Sequence, residues 1–437
     1  MSSPLKRLSS RKFLRRGLKA VGVTALFLIC LNCGEEYRPV ANPIIPNPPN
    51  TAFTHIVLMI SDNGASNPGA STTYDVSGDS ASSQSQTGLG PVYAAVVGGT
   101  QAYVANSLED TISEFSVATP APVVTISLPS SCGTPPCSMP VFVGTSETST
   151  VYVANAKSNT VAAISTSNNA VSNNIIVGNT PVALAETPDA QKVYVANAGT
   201  NGSGGSVSVI NTVDKSVVAN PPLAAFGWVS PVWVLARSDS ERIYVLDQGS
   251  GLLAAVDTSA DAVVGSVSVG VGANYMIYDS HLNRIYVVNP ASDTVICVQV
   301  ASDALTTNTI AVANPESVTA LADGSRFYVS TGAIAGGNVT PAVSVFNASN
   351  FALRVTVALP AVPSSCTVKN WAEFALAAAA DSTRVYLGNC DAGSTAIIET
   401  SNDKLVVQMA APFSSQPPSQ PGGTPPPQNP VFVLAGP

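Results

Sequence analysis

The sequence predicts an all-β fold, a β-propeller of four-stranded antiparallel blades, on four observations. A strand ending in Tyr-Val-Ala-Asn or a close variant returns seven times, at Tyr103, Tyr152, Tyr194, Tyr244, Tyr286, Tyr328 and Tyr386. The returns are 42 to 58 residues apart, the length of a unit of four short strands. Each lies in a β-branched, turn-punctuated run, and no segment after the first 33 residues has the length and period of an ordinary helix. Finally, 437 residues exceed the roughly 250–300 at which one hydrophobic core stops growing, so the apolar material must be spread over repeats.

Residues 1–33 read as an export signal. Lys6, Arg7, Arg11, Lys12, Arg15, Arg16 and Lys19 form a basic region, and Ala20 to Leu31 is an apolar run too short to span a membrane comfortably. The run ends in Cys30-Leu-Asn-Cys33-Gly, which resembles a bacterial lipoprotein signal; the resemblance implies lipidation at Cys33, with Cys30 the alternative. Residues 34–52 carry five prolines and read as an extended tether, leaving 53–437 for the propeller.

Within each unit an apolar strand, often opened by proline as at Pro140, Pro181 and Pro231, passes through a polar turn into the tyrosine strand. A loop of Ser, Asn and Gly leads to an alternating strand such as Thr294-Val-Ile-Cys-Val298, and a fourth strand closes the meander. The seven anchors make the chain similar to the YVTN-type β-propeller repeat proteins, related to surface-layer and lactonase-like propellers. That resemblance implies the fold over about residues 53–437 and carries little about activity, because propellers host many unrelated functions.

The chain ends sharpen the count. His55 to Asn63, Ser71 to Val76 and the segment to Gly90 read as second, third and fourth strands with no first strand before them, while Pro430-Val-Phe-Val-Leu434 opens a blade and stops. The C-terminal strand is therefore expected to complete the N-terminal blade, giving eight blades and removing exposed edges. A seven-bladed ring, with 53–90 as an irregular extension, is the alternative.

Cys132 and Cys137 lie close enough to bridge locally. Cys366, in a connection into a first strand, and Cys390, just after a tyrosine strand, fall on one face of a meander and are expected to form a second disulfide. Cys297 reads as a buried apolar residue. No cysteine spacing suits a metal, and no cofactor is expected.

No catalytic constellation emerges. The chain has two histidines, His55 and His281, with no Gly-x-Ser-x-Gly elbow and no phosphate loop. The repeat asparagines Asn106, Asn155, Asn197 and Asn289 read as turn caps rather than a ring of ligands, and the tyrosines as packing between blades. Trp228 and Trp371, in connections between blades, are the candidate binding residues, able to stack on a sugar or anchor a peptide; Trp233 reads as core. A formal charge of −8 with scattered acids leaves no groove for nucleic acid. The function expected is a noncatalytic binding or surface-layer module of the cell envelope, monomeric, with a protein or glycan partner. It would meet the membrane only through its anchor or signal; a lactonase-like hydrolase is the alternative.

Overall fold

The proline-led strands and the tyrosine strands pair as their alternation requires, and the result is eight antiparallel sheets. The computed structural model describes residues 56–117, 122–129, 135–145, 149–364, 366, 374–410 and 429–435. The signal, tether, Cys30, Cys33, Cys132 and Trp371 lie outside the described residues.

Blade 1 joins Asn429–Ala435 to Ile56–Asp62, Pro68–Asp75 and Ser80–Leu89. Blade 2 is Pro91–Val97, Gln101–Asn106, Thr111–Ser116 and Val124–Ser127, and blade 3 is Pro140–Gly144, Thr150–Asn155, Thr160–Ser165 and Ala170–Ile176. Blade 4 keeps three strands, Pro181–Glu186, Lys192–Asn197 and Ser206–Asn211, its outer strand reduced to the bridge Ile210↔Val217. Blade 5 is Pro231–Ala236, Arg242–Asp247, Leu252–Asp257 and Ala262–Ser268; blade 6 is Tyr275–Asp279, Arg284–Asn289, Thr294–Gln299 and Thr306–Ala311. Blade 7 is Pro315–Ala320, Arg326–Ala335, Asn338–Asn347 and Leu353–Ala358, with Val362–Pro363 added on the third strand; blade 8 is Leu376–Ala378, Arg384–Asn389, Ser394–Glu399 and Lys404–Ala410.

The first strands touch one another in cyclic order, from Asn429–Ala435 through blades 2 to 8 and back. They therefore form the inner wall of the ring. Six of them open with a buried proline, at Pro91, Pro140, Pro181, Pro231, Pro315 and Pro430, and the residue after each is bulged out of register. Proline fits the first position of a strand because its missing N–H breaks no ladder bond there, and the bulge re-aims the residue that follows. Pro430-Val431-Phe432 repeats this device against Ile60 and Ser61, so the closing strand has the local geometry of every other proline-led first strand. The segment that could have been an irregular extension is instead blade 1, with Ser80–Leu89 a ten-residue outer strand. Its interior is unusually polar, since Ser71, Thr72 and Thr73 of the third strand are all buried.

Adjacent blades are joined by a recurring latch. All seven anchor tyrosines are buried, and a buried phenol needs a partner for its hydroxyl. Tyr103 donates to Asn169 at 2.9 Å, Tyr194 to Asp261, and Tyr328 to Asp403 at 2.6 Å. Each acceptor belongs to the third-to-fourth hairpin of the next blade and has positive φ, a conformation that Asn and Asp tolerate better than most residues. Burial first, and then the carboxylate beside it, pushes the Tyr194 and Tyr328 hydroxyls far up from their ordinary range, so both remain donors.

Two residues before the tyrosine, five anchors carry a cation, and all five reach the same neighbouring hairpin, Arg284 by donating to the Ala348 carbonyl and the other four by ion pairs. Lys192 pairs with Asp261 at 2.9 Å, Arg242 with Asp303 at 2.8 Å, Arg326 with Asp403 at 2.6 Å and Arg384 with Asp79 at 2.8 Å. The last pair ties blade 8 to blade 1, and Tyr74 shares a hydrogen bond with Thr395 across the same interface at 2.9 Å. Between blades 3 and 4 the polarity is reversed: Lys215 of the hairpin donates to Tyr152 at 2.7 Å.

The repeat asparagines are fully buried. Asn106 donates to Thr111 and Ser113 and accepts from the Gly88 N–H of blade 1, at 3.0, 2.9 and 3.1 Å; Asn289 donates to the Val269 carbonyl on the incoming connection at 3.0 Å. Asn106 thus bonds across the turn that follows it and also holds the preceding connection, while Asn289 holds the preceding connection. Cys366 and Cys390 form a disulfide with Cα atoms 5.5 Å apart, and Cys297 is buried, its thiol pushed up by burial to about 11.

Two outcomes follow from these contacts. The closing strand buries Val431, Phe432 and Val433, each contributing about 1.5–3 kcal/mol. Removal of residues 429–437 is therefore expected to cost at least about 5 kcal/mol in denaturant unfolding. Asp403, whose side chain is 3% exposed, serves Arg326, Arg354 and Tyr328 together; Asp403→Ala is expected to cost about 3–5 kcal/mol, measured the same way.

Candidate functional site

The bulge after each leading proline sets the side chain at the next position toward the following blade. At that position stand Phe432, Tyr93, Phe142 and Trp233, with Tyr275 in the corresponding place on blade 6. The rings meet in sequence: Phe432 and Tyr93 at 4.3 Å between centroids, Tyr93 and Phe142 at 4.0 Å, Phe142 and Trp233 at 5.6 Å, and Trp233 and Tyr275 at 4.9 Å. Blade 4 supplies only Ala183 here, which lets Phe142 reach across to Trp233. Blade 7 supplies Ser317, which shares a hydrogen bond with the Tyr275 hydroxyl. Aromatic side chains from five blades thus close ranks across the ring.

Beyond this layer, toward the hairpins that join first and second strands, a cavity of about 490 Å³ opens. Tyr93, Phe142, Trp233 and Tyr275 form its floor. Its walls are the ends of six first strands, including Ala95, Gly144, Ala185, Leu235, Ala236, Ile277 and Leu434. At Gly144 a Cβ would come within 2.6 Å of the end of the Leu184 side chain, so a larger residue there would have to displace it. The polar side chains of the lining are Thr145, Glu186, Trp233 and the three tyrosines, and it contains no Lys, Arg or His. Burial pushes the Tyr93 and Tyr275 hydroxyls well above their ordinary range, so the floor is uncharged. This size and mix, largely apolar with a few polar groups, is typical of small-ligand sites.

The hairpins that continue from the wall carry acids. Asp189, Asp239 and Glu241 follow the wall residues of blades 4 and 5, and Asp279 ends the first strand of blade 6. Arg237 is held by Asp239 and Glu241 at 2.8 and 3.1 Å. Asp279 is buried and accepts from the His281 and Leu282 N–H groups, yet desolvation outweighs these bonds and raises its pKa above 3.8.

The sequence-expected binding residue Trp228 lies elsewhere. It is 6% exposed, its ring 4.6 Å from Phe226 and its indole N–H bonded to the Leu223 carbonyl at 2.9 Å. The physical reason is the reduced blade 4. Where its outer strand would pack, the connection folds into a 3-10 turn, Pro222–Phe226, and buries Leu223 and Trp228. Trp228 thus presents almost no surface to a partner, while Trp233, read as core, lines the cavity. The aromatic layer was hidden in the sequence because its members sit on strands at least about 40 residues apart; the recurring Pro-x-aromatic triplet was the signal that marked it.

Among the described residues no group of three or more His, Cys, Asp or Glu is placed to hold a metal ion, and no helix is long and apolar enough to cross a membrane. No protein-family model matches the chain, and no curated protein sequence does. Solved structures do match. AztD of Citrobacter koseri superposes with a TM-score of 0.60 at 9% identity, over 87% of this chain and 98% of AztD. A candidate 6-phosphogluconolactonase of Bacteroides fragilis gives 0.52 at 13%, over 89% and 99%, and the Cps50 (Swd1) propeller domain of Myceliophteria thermophila 0.50 at 8%, over 71% and 97%. At these identities the likeness establishes the propeller fold.

Trp228→Ala is expected to lower stability by about 3–5 kcal/mol in denaturant unfolding. For Asp279 the sign is set by its raised pKa: the native state holds the proton more tightly, so the contribution is favourable at low pH and lost as pH rises through the folded pKa. Asp279→Asn keeps the oxygen that caps the turn. It is expected to raise the melting temperature at pH 7, with the gain shrinking toward pH 4.

Proposed function

We propose that this chain is an envelope-associated, noncatalytic binding module of the YVTN propeller type, held at the membrane by a lipid on Cys33 or Cys30. The observation that carries the binding reading is the aromatic-floored cavity at the centre of the ring. The cavity, and not Trp228, is the contact site: a protein or glycan partner, or a free small molecule, would place an apolar group in it. The basic signal, the prolines of the tether and the Cys366–Cys390 disulfide support an exported location.

The lining argues against hydrolysis at this site. Opening a lactone needs a base to activate water and a donor to receive the developing negative charge. The cavity offers one carboxylate, Glu186, and no cation or histidine. A phosphorylated sugar lactone would also have to leave water for a wall without positive charge.

The test has two arms. Purified protein mixed with 6-phosphogluconolactone and with simple lactones is expected to give no hydrolysis above the spontaneous rate. Capture of partners from solubilised envelopes is expected to fail for Ala236→Phe, which fills the mouth of the cavity. Turnover that this substitution abolishes would establish the hydrolase instead.

A further inference from the structure

We propose that the central cavity recognises a small organic cation, an alkylated ammonium group carried on a short apolar or aromatic body. The inference rests on the reading of the cavity as a binding site and names the class of ligand it takes. Three features select that class.

The first is the geometry of the floor. Trp233 stands at 86° to Phe142 and at 82° to Tyr275, while Tyr93 lies nearly parallel to Phe142 at 22°. The rings pack edge to face into an uncharged aromatic floor, and a cation with apolar substituents is attracted to such a surface by the ring quadrupoles. The second is the chemistry of the lining. Without Lys, Arg or His among its side chains it has no cation with which to hold an anion. An alkylated ammonium needs no hydrogen-bond acceptors, so it loses least on entering. The third is the charge of the cavity. Among the lining side chains Glu186 is the one acid, with no Lys, Arg or His beside it, and a negative charge there favours cations and repels anions.

The experiment titrates the full-length chain with benzyltrimethylammonium, with its neutral isostere neopentylbenzene and with benzenesulfonate, following tryptophan fluorescence and calorimetry at low and high salt. The cation is expected to bind about tenfold more tightly than the neutral isostere, to weaken as salt rises, and to compete with no sulfonate. Trp233→Leu is expected to abolish the preference for the cation. Because Trp233 also packs in the core, Ala236→Phe serves as the second variant; it blocks the mouth from a half-exposed position and is expected to prevent binding without altering the melting curve. Sedimentation with phosphatidylcholine vesicles distinguishes an ammonium on a lipid headgroup from a free solute, and absence of sedimentation is expected. Equal binding of cation and isostere would overturn the charge class while leaving the cavity a binding site. Preferential binding of the sulfonate would overturn the inference outright. Failure of every probe, with envelope capture unaffected by Ala236→Phe, would overturn the cavity as the site and the binding reading with it.

Discussion

The ring depends on buried phenols that reach from one blade to the next. Seven of the eight second strands bury a tyrosine, and the hydroxyls of Tyr103, Tyr152, Tyr194 and Tyr328 hydrogen-bond a side chain of the next blade. The acceptors that Tyr103, Tyr194 and Tyr328 find are side chains of the next blade, at hairpin positions where the backbone already favours Asn or Asp. The residue chosen for its tolerance of positive φ is thereby also the acceptor that fixes one blade against another. Lysine and arginine two positions before the tyrosine add charge to the same contact, and Arg384 with Asp79 carries the pattern across the closure. Such pairs are partly screened by solvent, so their worth lies in fixing alignment more than in strength; Asp403, almost wholly enclosed, is the exception.

The inner wall follows a second constraint. A ring of eight first strands leaves a channel wider than one layer of small side chains can fill. Here the proline-led bulges turn large rings inward from blades 1, 2, 3 and 5, Tyr275 joins them from blade 6, and Ala183 and Ser317 yield space. The aromatic layer fills one depth of the channel, and the short side chains beyond it leave the cavity. One substitution pattern therefore both stabilises the ring and shapes its central recess, which explains why the floor of the recess is aromatic.

Much of the fold was legible because repetition writes it many times. Tyrosine spacing identified the blades, and Pro430-Val-Phe was recognisable as a first strand because Pro140-Val-Phe stands inside the chain. The pairing of Cys366 with Cys390 followed from the face that a meander gives each. The cavity was not legible, because Tyr93 and Trp233 are distant in sequence and each alone reads as ordinary core. The partners of Lys192 and Arg326 were also hidden, since an acid near 70 residues away is one among many until the blades are placed. Trp228 misled for a related reason. Its connection looked like a surface loop, and only the loss of the outer strand of blade 4 turned that loop into packing.

The composite first blade also has a consequence in time. Chains are made from the N-terminus, so Ile56–Asp62, an apolar strand, exists for about 370 residues of synthesis before Asn429–Ala435 arrives to cover it. An uncovered edge of that kind invites pairing with other chains. The two strands beside it are built from Ser, Thr, Gln and Gly, and the outer one reads Ser-Ala-Ser-Ser-Gln-Ser-Gln-Thr. Such strands have little to gain from adhering to a neighbouring chain. The polar interior that makes blade 1 an oddity of the finished ring is then a safeguard for the unfinished one, keeping the opening blade soluble while it waits for its last strand.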